Sequence, residues 1–552
     1  MTTLDRRTLL ARGAAGIAAT GTAVALGGWD TAYAAKAPFV HGVASGDPLP
    51  RGIVLWTRVT PSRHAQPGSG RGPAVHVRWE VAGDEKFRNV VRRGRTKATH
   101  RHDHTVHVDV RGLHPGRTYW YRFHALGVTS PVGRTRTAPK RNADVPVRLG
   151  VVSCANYDWG YFASYRHLAH QDVDAVLHLG DYIYEYGPDG PLGEGMPAPY
   201  SPRHADPPHE CTTGQDYRIR HGSYRLDPDL QALHARHPVI AVWDDHEIAN
   251  DTWRGGAENH DAGEGSWAAR SKGARRAWTE WLPVRRRSRS LPYRIHRRLR
   301  LGKHVDLWML DERRFRDEQP DSAAFSAGSV DPDREDPKRT MLGEAQLAWL
   351  RKGLEESTAT WKVIGNQVPF FPTVLGPGYP EALSAILEPV SPALAHEPAA
   401  YYVDDWNGYP AERQRLVTTM TEVEDVVVLT GDVHQSYACE IPRDVGTYSA
   451  TGESVAVELI APGISSPAIS TIIAQFIPGA DTAIESVFSA NEAGFNQWVK
   501  YRESSRCGYL IVDVDGARVR ADWWLVDDSQ VPSSPVRHAR TMQVRRGSRQ
   551  VT

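Results

Sequence analysis

Four stretches of this sequence run as apolar segments and then stop on a polar group. They are VRLGVVSC (Val147–Cys154), AVLHLGD (Ala175–Asp181), VIAVWDD (Val239–Asp245) and VVVLTGD (Val426–Asp432). A short run that is apolar on both of its faces reads as a strand covered on both sides, as in parallel sheets. Helical stretches lie between such runs, Tyr161–Gln171 among them, so the pattern predicts an α/β core. In a parallel sheet the four polar ends would converge on one edge. Loops at the carboxyl ends of parallel strands are where such folds carry their chemistry. The stretch Leu177–Gly187 (LHLGDYIYEYG) is the most telling, because a carboxylate, Asp181, closes the strand and Tyr184 follows within reach of it.

At 552 residues the chain is long enough for two or three domains. The first 34 residues read as an export signal rather than fold. Arg6-Arg7 precede a weakly apolar Ala/Gly-rich run and a small-residue cleavage site at Ala32-Tyr33-Ala34. The paired arginines point to the twin-arginine (Tat) export machinery and hence to a secreted, extracellular protein. The run is too short and glycine-rich for the ~20 apolar residues of a span, and no later segment replaces it, so no transmembrane helix is expected in the mature chain. A net charge of +1 gives no electrostatic footprint for a nucleic-acid-binding module. The four cysteines, Cys154, Cys211, Cys439 and Cys507, show no CxxC pairing, which excludes a zinc ribbon and leaves room for at most one disulfide once Cys154 is assigned to a site.

From 37 to 141 the texture is different. Alternating segments at Ile53–Val59, Val75–Val81, His104–Val110 and Thr118–Leu126 are separated by Gly, Pro and Asp clusters. They predict an immunoglobulin- or fibronectin III-like β-sandwich with no catalytic constellation; His41, Asp47 and the histidines at 100, 102 and 104 read as turn or edge residues. The α/β region then runs from 145 to 527, with further strands at Trp361–Phe370 and Ser454–Ser466 and a late hairpin around Asp515-Gly516. Gly187–Asp216 reads as a long loop over the site. The basic run Arg285–Arg300 reads as a solvated face, and 528–552 as a polar, mobile tail.

The strand ends bring together Cys154, Asp181, the Asp244-Asp245-His246-Glu247 loop and Asp432-x-His434. Taken singly, each has a bland explanation: a buried thiol as filler, an aspartate as turn former, histidines satisfied in loops. Taken together they are a mixed donor set of thiolate, carboxylate, imidazole and phenolate. Such a set suits one trivalent iron beside an oxygen-seeking divalent ion. Two metals ~4 Å apart clamp a phosphate and generate hydroxide for in-line attack.

The chain resembles the alkaline phosphatase D family, the PhoD branch of the calcineurin-like metallophosphoesterases. The matching text is GVASGDPLPRGIVLWTRV, the cysteine of VVSCANYD, HLGDYIYEYG, HPVIAVWDDHEIAND, MLGEAQLAWL, WKVIGNQV, WNGYPAERQRL, VVLTGDVHQS and ISSPAIS. The resemblance implies a calcineurin-like α/β sandwich behind the N-terminal domain, and a phosphoesterase acting on mono- and diesters. It implies Fe(3+) held by Cys154, Asp181, Tyr184 and His434, with Asp181 bridging to Ca(2+). Asp432 would bind the calcium, with Asp245, Asn250 and Asp251 competing for the remaining places. His246 would be the phosphate contact or leaving-group acid. Arg313 would hold phosphate oxygens, with Arg218 and Arg413 as further candidates. Phospholipid, teichoic acid or a small phosphoester would be the substrate. The family includes secreted phospholipases D of this kind, so a headgroup-releasing diesterase is the alternative; the unrelated HxKxxxxD type is excluded by absence of that motif. A non-catalytic phosphate- or cell-wall-binding protein would be expected to have lost a ligand, and none is missing.

Overall fold

The computed structural model describes residues 38–187, 203–286, 294–320, 333–374, 403–468 and 479–552, together with 376, 382, 385, 386, 470, 471 and 474. The segment expected to be an export signal lies outside them, as does 188–202 of the expected long loop. Two large sheets face each other. The first has nine strands in the order Val536–Arg545, Arg518–Val526, Gly508–Val514, Val147–Val152, Ala175–His178, Pro238–Ala241, Val43–Leu49, Gly52–Arg58 and Thr105–Arg111. The second has seven: Arg297–Leu301, Val305–Met309, Trp361–Gly365, Val426–Thr430, Ser454–Ile460, Ser436–Pro442 and Val499–Glu503.

Alternation decides what each face touches. Along the central strands of the second sheet, Leu307, Val363 and Val427 point inward to a core shared with Leu149, Leu177 and Ile240 of the first sheet. Trp308, Ile364 and Val428 point outward and are covered by Leu347, Leu350 and Leu416 of the helices Gly343–Glu355 and Pro410–Glu422. Helices Ala163–Ala169 and Pro228–Arg236 pack on the first sheet. This is the α/β sandwich expected of a metallophosphoesterase, with one refinement: the four polar strand ends belong to two sheets rather than one. Val147–Val152, Ala175–His178 and Pro238–Ala241 supply three of them, and Val426–Thr430 the fourth. A parallel bridge between Ser153 and Gly463 joins the sheets at the site.

The amino-terminal strands are less separate than their sequence texture. Val90–Ala98, Val75–Ala82, Thr118–Ala125, Val128–Thr129 and Gly133–Arg136 form a five-stranded sheet. Its inner face, with Val77, Tyr121 and Phe123, packs on Ile53, Leu55 and Val110. Those partners belong to the large first sheet, which Val43–Leu49 enters by pairing parallel with Pro238–Ala241. That strand, VASGDPL, is masked in the sequence by Gly46, Asp47 and Pro48.

Two expectations need correction. The tail is not mobile throughout: Val536–Arg545 is an edge strand paired along its length with Arg518–Val526. Only Met542 and Val544 of it are buried, so backbone pairing rather than an apolar stripe holds it, and no periodicity betrays it. The basic run is not all solvated: Arg297 is buried on Asp47 at 2.7 Å, and Arg298 and Arg300 pair with Asp306. All four cysteines are buried and unbridged.

Candidate metal centre

The site lies where the strand ends of the two sheets meet, and its backbone is unusual. Cys154, Asp181, Asp251, Asp432 and His434 all have φ between 53° and 68°. Left-handed non-glycine residues are uncommon, and a group of them marks a place where the surroundings impose the conformation. Gly180 shows why the loop needs glycine. Its φ is +123°, and a Cβ there would stand 2.3 Å from Asp244 Cβ. The Asp181 and Asp244 loops thus touch backbone to backbone, and Glu247 ties them together. Its carboxylate accepts from the backbone N–H groups of Asp181 (3.1 Å), Tyr182 (2.8 Å) and Asp244 (2.8 Å).

Ligating atoms of Cys154, Asp181 and His434 lie within 4.8 Å of one another. The Tyr184 hydroxyl joins them. It lies 3.0 Å from Asp181 Oδ2 and 3.1 Å from His434 Nε2, and receives a hydrogen bond from Ser466 Oγ at 2.9 Å. His434 Nδ1 lies 3.0 Å from the Pro467 carbonyl, which only accepts, so this nitrogen carries the proton and Nε2 presents its lone pair to the cluster. One phenol proton cannot satisfy both Asp181 and His434, and Asp181 Oδ1 is buried without a hydrogen-bond partner. Burial pushes the Cys154 thiol and the Tyr184 phenol up, and Asp181 pushes both further. Burial lowers His434 to about 4, keeping it neutral.

The second half is all oxygen. Asp244, Asp245 and Asp432 form one group of close ligand atoms, and Asp245, Asp251 and Asp404 another. Asp244 Oδ2 is buried without a partner. Burial first, then neighbouring carboxylates, hold Asp251 and Asp432 well above the usual carboxylate range. Asp245 goes the other way: burial is outweighed by Arg313 and His246, and it stays ionised. The two unsatisfied carboxylate oxygens and the surplus of buried acids fit cations in both halves. Cys154, Asp181, Tyr184 and His434 would hold one; Asp244, Asp245, Asp251, Asp404 and Asp432 offer places for the other.

His246 sits between the halves. Its Nδ1 is 2.8 Å from Glu185 Oε2, and its ring stacks on Tyr184 at 4.2 Å between centroids. Glu185 in turn accepts from Asn250 N at 2.8 Å and Asn259 Nδ2 at 2.9 Å. Burial would lower His246, but Asp245, Glu185 and Asp181 raise it well above 6.5.

The Asn250 amide nitrogen donates to Glu258 at 3.1 Å, which leaves its Oδ1 as the atom a cation would take. Other predicted residues stand elsewhere. Arg218 is held by Glu280 at 2.8 Å and Arg413 bonds Asn407 at 2.9 Å. Arg313 is fully buried, bonded to Asp244 and Asp404 and within 3.6 Å of Asp245 and Asp432. It is a counter-ion inside the acidic half rather than an open phosphate contact. Asp404 was not foreseen, because no apolar strand runs into it; its signal was its place just before the WNGYP motif. Glu185, Glu247 and Ser466 were also missed as partners of the ligands.

A family model described as PhoD-like phosphatase matches residues 149–523, and one for the PhoD-like phosphatase N-terminal domain matches 22–139. Alkaline phosphatase D of Bacillus subtilis (strain 168) is 39% identical over 420 residues, covering 74% of this chain and 66% of that protein, just under two thirds of its length. A solved structure of PhoD superposes with a TM-score of 0.77 at 30% identity, covering 94% of this chain and 92% of that one. Purple acid phosphatase PPD1 from yellow lupin superposes at 0.50 with 10% identity, covering 91% and 75%, a likeness of fold alone.

Proposed function

This chain belongs to the PhoD-like phosphatase family, and on that premise we propose that it is an exported, metal-dependent phosphoesterase hydrolysing phosphate mono- and diesters. The observation that carries this reading is the pairing of a thiol–phenol–imidazole–carboxylate cluster with an all-carboxylate one, both largely buried, each with a buried carboxylate oxygen left unsatisfied. The donor chemistry favours iron in the first half and calcium in the second. When bound, such a pair supplies Lewis acidity toward the phosphoryl oxygens and lowers the pKa of water toward ~7.

The chain's own groups do the rest. His246, steered by Glu185 through Nδ1, presents the proton on Nε2 beside Asp181 and Asp245, where a leaving alkoxide needs it. His434 is fixed in the Nε2-ligating tautomer by the Pro467 carbonyl. Arg313 offsets the charge of the acidic half, and Glu247 keeps the two metal-bearing loops in register. Export rests on Arg6-Arg7 and the segment behind them. We read the amino-terminal strands as a sandwich of the immunoglobulin or fibronectin III kind.

Metal analysis with a visible spectrum tests the reading. Iron and calcium should co-purify, with a visible band that disappears in Tyr184→Phe while calcium stays. A metal-loaded, active enzyme without that band refutes the iron–phenolate assignment. Turnover of p-nitrophenyl phosphate, its bis ester, teichoic acid and phosphatidylcholine, with and without calcium, identifies the substrate class.

A further inference from the structure

The outer face of the five-stranded amino-terminal sheet carries charge that the protein itself does not use. Arg78 stands directly opposite Arg95, and His76 opposite Lys97. These side chains point away from the core, because the alternating Val75 and Val77 are buried beneath them. Arg93 stands opposite Glu80, but that carboxylate is taken by Arg122 at 2.9 Å and His124 at 3.2 Å. Arg78, Arg93, Arg95 and Lys97 are exposed, and among the described residues none of them makes an ion pair. The chain as a whole is only +1, so this is a local concentration.

Like charges directly opposed across strands destabilise a sheet. Charges on an edge strand alone would be ordinary protection against edge-to-edge pairing. That accounts for Arg93, Arg95 and Lys97 on Val90–Ala98. It does not account for Arg78, which is on an interior strand and faces Arg95.

The same face ends in an apolar tip. The cross-strand row Arg95, Arg78, His124, Thr129 leads to the hairpin that joins Thr118–Ala125 to Val128–Thr129. At its tip Leu126 has φ 52° and is 56% exposed; Val128 (39%) and Val132 (41%) follow it. A bulky aliphatic residue in the left-handed region and in water gains nothing from the fold. Cations flanking a short exposed apolar tip are what a peripheral protein presents to an anionic lipid surface. The cations meet headgroup phosphates and the tip enters the interfacial layer. A soluble polyanion would use the arginines but not Leu126. We propose that this sheet face docks the protein onto an anionic bilayer. The inference is independent of the catalytic reading, because none of these residues belongs to the metal centre.

Co-sedimentation of the mature, metal-loaded chain with vesicles tests it, using phosphatidylcholine alone and phosphatidylcholine mixed with phosphatidylglycerol, at low and high salt. Binding is expected to the mixed vesicles only and to weaken with salt. The triple variant R78E/R95E/K97E should lower it by about tenfold or more, and the single edge-strand variant R95E by about fivefold. Leu126→Ser should lower it by about tenfold, with its salt dependence kept. Unchanged circular dichroism and denaturation midpoints show that the variants fold. Failure of the native chain to bind mixed vesicles, or native-like binding by R95E, overturns the proposal. So does native-like binding by Leu126→Ser with soluble polyphosphate as an equal competitor, which would make the face a polyanion site.

Discussion

Replacing Glu247 by alanine separates the role of the tie from that of the metal ligands. The Glu247 carboxylate accepts three backbone N–H groups, with Oε2 taking those of Asp181 and Asp244 and Oε1 that of Tyr182. All four residues are buried. An orphaned buried N–H costs about 1–3 kcal/mol, so the three together put the loss for Glu247→Ala at about 3–9 kcal/mol. Glu247→Gln tests the geometry more finely. An amide can set its oxygen in the Oε2 position and keep two of the three bonds, but its NH2 then faces the Tyr182 N–H. The expected loss is about 1–2 kcal/mol, from one unsatisfied donor. Hydrogen exchange followed by mass spectrometry reads this locally. A loss of about 3 kcal/mol raises opening-limited exchange in the peptides spanning 179–184 and 243–248 by roughly 100-fold, and the glutamine variant by roughly tenfold. Metal stoichiometry should fall in the alanine variant even though no ligand has changed. Native exchange rates in those peptides would show that the loops are held by their own strands and that the three bonds are incidental.

Other substitutions probe neighbouring steps. Gly180→Ala puts a Cβ 2.3 Å from Asp244 Cβ at a φ of +123°, and should cost about 2–5 kcal/mol in urea denaturation; a loss under about 1 kcal/mol would mean that the loops separate freely. Cys154→Ala should lose iron and most turnover while keeping calcium and its circular dichroism; full turnover would reduce the thiol to packing. Acid should destabilise the fold through His178 and His221, each lowered by burial to about 3. Above pH 6.5 both are neutral folded and unfolded. Below it the unfolded chain takes up protons that the folded chain refuses, so stability falls as pH falls from 6.5 toward 3. At pH 5 this amounts to about 2 kcal/mol per histidine. The difference between urea midpoints at pH 7 and pH 5 should shrink in His221→Phe; an unchanged difference would locate the acid sensitivity elsewhere.

What could be read from the sequence follows from which residues announce themselves. Cys154, Asp181, Asp245, Asp432 and His434 end or follow apolar strands, and a strand buried on both faces is the plainest local pattern a sequence has. Their meeting across two sheets was not legible, because strand order is set by long-range pairing such as Ser153 with Gly463. Asp404 and Glu185 sit in loops with no periodic flank. The edge strand Val536–Arg545 hid because only Met542 and Val544 on its inner face are buried, too short an apolar pattern to read as a strand. Arg313 looked like a phosphate contact because it stands in a segment resembling the family, yet its neighbours in space are four carboxylates.

That placement of Arg313 bears on why the two halves of the centre differ. Six aspartates, 181, 244, 245, 251, 404 and 432, and the Cys154 thiol share a buried region with Arg313, Arg316 and His246 as its cations. Buried like charges cannot all ionise without more positive charge. Arg313 and Arg316 both engage Asp404, which leaves Asp181 Oδ1 and Asp244 Oδ2 unmatched, one on each side. A single ion would answer only one of them. The donors around the first are sulfur, imidazole and phenol, and those around the second are oxygen alone, so a cation suited to one side is poorly suited to the other. Two unlike ions are therefore what the donor sets and the charge balance best fit under the proposed activity. Asp181 and Asp245, which approach each other with His246 between the halves, are placed to couple them.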